Sequence, residues 1–179
     1  MYPAKVMTAG EGGFIVTNSK KLRDKLLMIR NNGMVKGYDT RILGLNLRLP
    51  EINAAIAKIQ MKKLPKFLKT REKNAKLLSE LISKSNLTLP IQRKHEKVNW
   101  YLYTITSSKR NTLLKKLNEK GIGAASYYPI PVHKTPFYKS KTKLPITEWA
   151  ASKVLSLPIH PKVTTKNIEF ISKSIFELL

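Results

Sequence analysis

The sequence predicts an α/β protein, and three observations carry that prediction. A glycine-rich turn, Gly10-Glu11-Gly12-Gly13, runs into the β-rich stretch Phe14-Ile15-Val16-Thr17, which leads into an amphipathic helix. Apolar residues then recur at helical spacing from Ile52 to Ile82, on both sides of Pro65. From Leu87 onward short strand-like runs alternate with short helices, the texture of a compact α+β unit. With 179 residues, the chain can bury roughly 70% of the surface its unfolded form exposes, enough for one sizeable domain or a small domain with an appendage.

Each element has a local cause. Asn18 or Ser19 can cap the first helix, whose Leu22, Leu26 and Ile29 share a face, and Asn31-Asn32-Gly33 stops it. Residues 34–44 have two glycines and no periodicity and read as a loop. Pro50 opens a second helix at a position where a missing N–H is tolerated, with Ile52, Ala55, Ile56 and Ile59 on its apolar face. Pro65 is expected to end or kink it, and Leu68, Ala75, Leu78 and Ile82 carry a further helix as far as Ser83. Residues 98–106 alternate as a strand, Trp100 and Thr104 on one face and Tyr103 and Ile105 on the other. Ser107 or Ser108 is expected to cap a helix with Leu113 and Leu117, ended by Gly121, and residues 122–127 to form a strand. Thr147 is expected to cap a helix bearing Trp149 and Val154, and Thr164 the last one, with Ile168, Ile171, Ile175 and Leu178 on one side.

Composition narrows the function. Apolar residues make up 42% and charged residues 25%, which excludes wholesale disorder. No stretch approaches the twenty or so apolar residues of a membrane span, and no secretory pattern opens the sequence, so a cytoplasmic protein without membrane association is expected. The absence of cysteine excludes disulfides and thiolate metal sites. His95, His133 and His160 lie far apart with no acidic residue at ligand spacing, so no metal site is expected. The net charge of +23 would suit nucleic acid, but the cations are scattered and no DNA-reading motif occurs. Solvated faces explain them better, with a general preference for anionic ligands such as phosphates.

Three stretches carry candidate chemistry. In Met1-Tyr2-Pro3-Ala4-Lys5-Val6-Met7-Thr8-Ala9-Gly10-Glu11-Gly12-Gly13 a lysine stands ahead of the glycine turn. Such a lysine can be buried, lose its proton and form a Schiff base with an aldehyde cofactor, although lysines are most often plain surface residues. The second stretch runs Gly44-Leu45-Asn46-Leu47-Arg48-Leu49-Pro50-Glu51-Ile52-Asn53-Ala54-Ala55-Ile56, with Gln60 beyond it. An amide and a guanidinium together suit a dianionic phosphate, and Asn46 could equally be a turn or cap residue before the helix. The third is Tyr127-Tyr128-Pro129-Ile130-Pro131-Val132-His133, where Tyr128 and His133 could meet a substrate or be ordinary residues of a proline-rich loop.

In this order the three stretches resemble the DegT/DnrJ-type sugar aminotransferases, which use pyridoxal 5'-phosphate (PLP), and Leu157-Pro158-Ile159-His160-Pro161 is similar to the family too, with a structural role expected for His160. The resemblance implies a type I PLP-dependent transferase fold, like aspartate aminotransferase, truncated to the C-terminal half. Residues 1–62 would be the remnant of the large PLP-binding domain, 63–86 a bridging helix and 87–179 the small C-terminal domain. It implies that Lys5 carries PLP and returns protons to it, that Asn46, with Arg48 in support, reaches the phosphate of a neighbouring protomer's PLP, and that Tyr128 and His133 line the approach of a nucleotide-linked keto sugar. Glutamate is the usual amino donor. The family's phosphate-cradling loop, ring-stacking aromatic and ring-nitrogen aspartate precede the lysine, so a chain starting at Lys5 is expected not to transaminate efficiently alone. It would need a separate N-terminal half, or else be a non-catalytic remnant that works as an oligomerising or regulatory module. Apolar residues Ile15, Leu22, Leu26 and Leu43 would lack the sheet they pack on, which predicts a homodimer or higher oligomer.

Overall fold

The computed structural model describes residues 1–179, which divide into two compact units, Met1–Pro65 and Lys66–Leu179. No helix is long and apolar enough to cross a membrane.

The first unit is built on helix α1 (Lys20–Arg30), where the hydroxyl of Ser19 accepts from the Leu22 N–H. Asn31 closes the helix, and Asn32 and Gly33 follow at φ 56° and 75°, so the chain turns back in the left-handed region. The returning segment lies against the helix end: Leu45 and Leu47 donate to the carbonyls of Ile29 and Arg30, and Asn32 donates to Leu45. This approach demands glycine twice. A Cβ on Gly33 would stand 1.7 Å from the Ile42 carbonyl oxygen, and one on Gly44 would stand 2.0 Å from the Gly33 nitrogen. The strand expected at residues 14–17 does not form; Phe14, Ile15 and Val16 are exposed. A strand exists through its partners, and no segment of this chain pairs with these residues.

Helix α2 (Glu51–Leu81) is continuous, with Pro65 inside it, where the sequence suggested two helices. Pro65 removes one i→i−4 hydrogen bond, and the remaining bonds of a thirty-one-residue helix outweigh that loss.

The second unit has its core on the later turns of α2, where Ala75 and Leu78 are fully buried, with Ile82 just past the helix end. Strand β1 (Tyr103–Thr106) pairs antiparallel with β2 (Val154–Leu157) in the register Tyr103 to Leu157 and Ile105 to Leu155. These four side chains face the core, and the hydroxyls of Thr104 and Ser156 meet at 2.9 Å on the other face. Single bridges, Thr88 to Thr106 and Ala125 to Ser156, extend the pair at either edge. The strand expected over 122–127 is reduced to the Ala125 bridge. β1 starts late because Trp100 adopts φ 49°, which breaks the alternation expected from residue 98.

Helix α3 (Arg110–Glu119) is capped by Lys109 without a side-chain bond, and Ser107 instead accepts the Lys109 N–H one turn early. Gly121 terminates this stretch at φ 77°. Helix α4 (Pro145–Lys153) begins two residues before Thr147, since proline is preorganised for a first helical position, and Val154 belongs to β2 rather than to the helix. Helix α5 (Thr165–Leu178) starts with a reciprocal Thr164–Asn167 capping box and buries Ile168, Ile171 and Ile175.

Candidate functional site

Lys5 sits in a tight turn of the first unit. Its N–H donates to the Tyr2 carbonyl at 3.0 Å, and its side chain is exposed rather than buried, because the turn is short and no layer of this chain covers it. The Thr8 hydroxyl donates to the Met1 carbonyl and accepts the Gly10 N–H, both at 3.1 Å, which fixes the run from the lysine to the glycines. Gly10 and Gly12 take φ 81° and 122°.

The glycine turn is tied to the second stretch. Asn53, in the first turn of α2, donates its amide to the Ala9 carbonyl at 2.5 Å and points to that of Glu11 at 3.5 Å. A Cβ on Gly12 would stand 2.5 Å from Cδ1 of Leu49, so this glycine lets the two segments close on each other. The fold thus brings the Lys5 segment and the Asn46–Asn53 segment together. Asn53 was invisible as a positioning residue because a polar residue in a first helical turn reads as solvent-facing. Beside it lies an apolar cleft of about 420 Å³, lined by Met7, Phe14, Leu49, Ala57 and Met61 among others. Its lining offers no acid–base side chain besides Lys58 and Lys62.

Asn46 and Arg48 are exposed on the segment that runs antiparallel to the end of α1. The backbone of Asn46 bridges Asn31, and Arg48 Nη2 donates to Asn31 Oδ1 at 3.0 Å. Asn46 does not cap α2, which begins five residues later at Glu51. An outward amide beside an anchored guanidinium can receive phosphate oxygens.

Tyr128 and His133 belong to the second unit. Tyr128 is 73% exposed, its ring edge-on to Tyr127. His133 is the middle residue of a 3₁₀ turn, Val132–Lys134, and is the better anchored of the two: its Nε2 lies 3.0 Å from Glu148 Oε1 in α4. The same oxygen accepts the Leu144 N–H at 3.1 Å and lies 3.6 Å from the Lys134 ammonium. The His133 hydrogen bond, the Leu144 N–H and the Lys134 charge pull the Glu148 carboxyl down to about 2. So His133 does have an acidic partner, which sequence spacing hid because the two are fifteen positions apart and joined by tertiary packing. His160 serves its turn: Nδ1 accepts the Lys162 N–H at 3.3 Å, and its carbonyl accepts from Val163 at 2.8 Å.

Comparison with known proteins agrees with this architecture. Residues 1–176 match the DegT/DnrJ/EryC1/StrS aminotransferase family. The chain is 34% identical over 166 residues to the dTDP-3-amino-3,4,6-trideoxy-alpha-D-glucose transaminase of Streptomyces venezuelae, covering 89% of this chain and 44% of that protein. It is 33% identical over 184 residues to a pleiotropic regulatory protein of Geobacillus stearothermophilus, covering 98% and 50%. The crystal structure of a DegT DnrJ EryC1 StrS aminotransferase from Brucella abortus superposes with a TM-score of 0.91 at 29% identity, over 98% of this chain and 48% of that one. The chain spans about half the length of the curated relatives it matches. A match over nearly every residue, with the same fold, makes this chain a member of the DegT/DnrJ/EryC1/StrS aminotransferase family.

Proposed function

We propose that the chain supplies the lysine-bearing half of a PLP-dependent aminotransferase that delivers an amino group, with glutamate as donor, to a keto group on a nucleotide-linked sugar. The observation that carries this is the Asn53 clamp, which joins the Lys5 turn to the segment bearing Asn46 and Arg48. The donor set fits the cofactor: a primary amine for an aldehyde, an amide and a guanidinium for a dianionic phosphate, and no carboxylate in the set to repel it. When bound, PLP supplies an electron-poor ring that stabilises negative charge at the substrate carbon. Lys5 would hold the cofactor covalently and, once displaced, move a proton at its Nζ between cofactor and substrate. Asn46 and Arg48 would donate to the phosphate held by a neighbouring protomer, which requires at least a homodimer. Tyr128 and His133 would flank the sugar or its diphosphate, with Glu148 fixing the His133 ring.

On this reading residues 1–62 belong to the large cofactor-binding domain, 63–86 bridge and 87–179 form the small domain, and nucleotide-linked substrates put the reaction in the cytoplasm. The rest of the fold, on the same or another polypeptide, supplies the phosphate cradle and the group that keeps the ring nitrogen protonated. The other reading is a non-catalytic remnant that works as an oligomerising or regulatory binding module; one relative is named a pleiotropic regulatory protein.

Borohydride reduction after incubation with PLP, followed by peptide mapping, separates the two. The aminotransferase reading expects a reduced cofactor on the peptide containing Lys5 and none in Lys5→Arg. Random labelling of surface lysines, unchanged in Lys5→Arg, overturns it. Turnover of a keto sugar by these 179 residues alone would overturn the need for a second half.

A further inference from the structure

Arg71 and Asn74 lie three residues apart on α2, on one face of the helix, and both hold loop backbone against it. Asn74 Nδ2 donates to the carbonyls of Ile159 and Val163 at 3.3 and 3.0 Å, and approaches that of His160 at 3.5 Å. Arg71 Nη1 donates to the carbonyls of Trp100 and Tyr101 at 3.0 and 3.1 Å. Its Nε–H is buried with no partner. Trp100, 7% exposed, likewise keeps a buried indole N–H with no partner. A buried donor left unpaired is destabilising, so two on residues joined by a hydrogen bond call for an acceptor.

The backbone there is held in an uncommon shape. Trp100 has φ 49°, a left-handed conformation unusual for a bulky residue, and it persists between the Arg71 bonds and the Asn99 side chain, which accepts the Tyr101 N–H at 3.0 Å. The charge is unbalanced too. Burial lowers the Arg71 pKa, and the titrating groups coupled to it are Tyr101 and His160, with no carboxylate among them. His160 uses Nδ1 as an acceptor, so its neutral ring carries its proton on Nε2, one more donor. Burial, then Arg71 and Lys162, lower its pKa and favour that neutral form.

We propose that Arg71, Trp100 and His160 form a binding site for a compact oxyanion, a phosphate or a carboxylate group, received by the Nε–Nη2 edge of Arg71 and the Trp100 indole N–H. Planar two-point donation is the geometry a guanidinium offers either group. The site is independent of the proposed reaction and uses none of its residues.

The chain has two tryptophans, and Trp149 is 55% exposed, so the two indole N–H signals of ¹⁵N-labelled protein give a probe and an internal control. Phosphate and acetate are titrated separately at constant ionic strength, with chloride as the balancing ion. The Trp100 indole and Arg71 Nε–H signals are expected to move together and saturate while Trp149 stays put, and the anion that saturates first identifies the ligand class. Arg71→Lys keeps the charge and loses the fork, so binding should weaken roughly tenfold or more. Trp100→Phe should weaken it several-fold, and Arg93→Gln, at an exposed cation, should leave it unchanged. Proportional, unsaturating shifts of both indoles, or Arg71→Lys titrating like the parent, would mean diffuse screening by a basic protein and would overturn the site.

Discussion

His133 and Glu148 show what one contact does at the scale of a residue. The Glu148 carboxyl sits near 2, well below its usual 4.5, chiefly through the His133 hydrogen bond, helped by the Leu144 N–H. Between these values the unfolded chain binds more protons than the folded one. The stability that Glu148 contributes is therefore present above about 4.5 and lost as pH falls towards 2. His133→Leu removes the leading cause, and a ¹³C titration of side-chain carboxyls should show Glu148 moving up towards the ordinary range. Glu177, held down by Lys120 on another surface, should titrate as before. If Glu148 did not move, the Leu144 and Lys134 contacts would be enough, and His133 would be free to serve a ligand instead.

At the scale of elements, the first unit depends on two glycines and the long helix carries a residue that opposes it. Gly33→Ala places a Cβ against the Ile42 carbonyl at a positive φ, and Gly44→Ala drives one into the Gly33 backbone. Each is expected to destabilise by at least about 2 kcal/mol in thermal or urea unfolding. Gly123→Ala meets open space and should stay within about 0.5 kcal/mol. Pro65→Ala restores an N–H and relieves a ring clash inside α2, and it should stabilise by about 1–3 kcal/mol. A loss of stability instead would mean that the proline is accommodated by a local geometry an alanine cannot use.

For the whole molecule, charge and exposed apolar surface pull in opposite directions. Ile15, Leu43 and Ile52 are 72%, 92% and 76% exposed, and α1 buries no residue at all, so the first unit presents apolar surface that favours association. The net charge of +23 repels a second copy. Screening shortens that repulsion from roughly 30 Å at 0.01 M salt to roughly 10 Å at 0.1 M, so the average mass in sedimentation equilibrium should rise with salt. Leu43→Lys together with Ile52→Lys should hold the chain monomeric. A mass that falls with salt would show that the contacts are ionic, the behaviour expected of a polyanion complex.

Local chemistry in the sequence determined the helices with strong caps and stripes: Ser19 before α1, Thr164 before α5, and the Ile168, Ile171, Ile175 face, because caps and 3.6-residue periodicity are properties of neighbouring residues. It also determined the motif order that marks the family. Tertiary structure decided what depends on partners distant in sequence. The run at 14–17 has the composition of a strand but no neighbour to pair with, while Val154, read as part of a helix, opens β2 because β1 lies beside it. The candidate residues of both sites divide the same way. Lys5, Asn46 and His133 were legible as residue types in motifs, but Asn53, Glu148 and Arg71 act through atoms that only folding brings within hydrogen-bond reach.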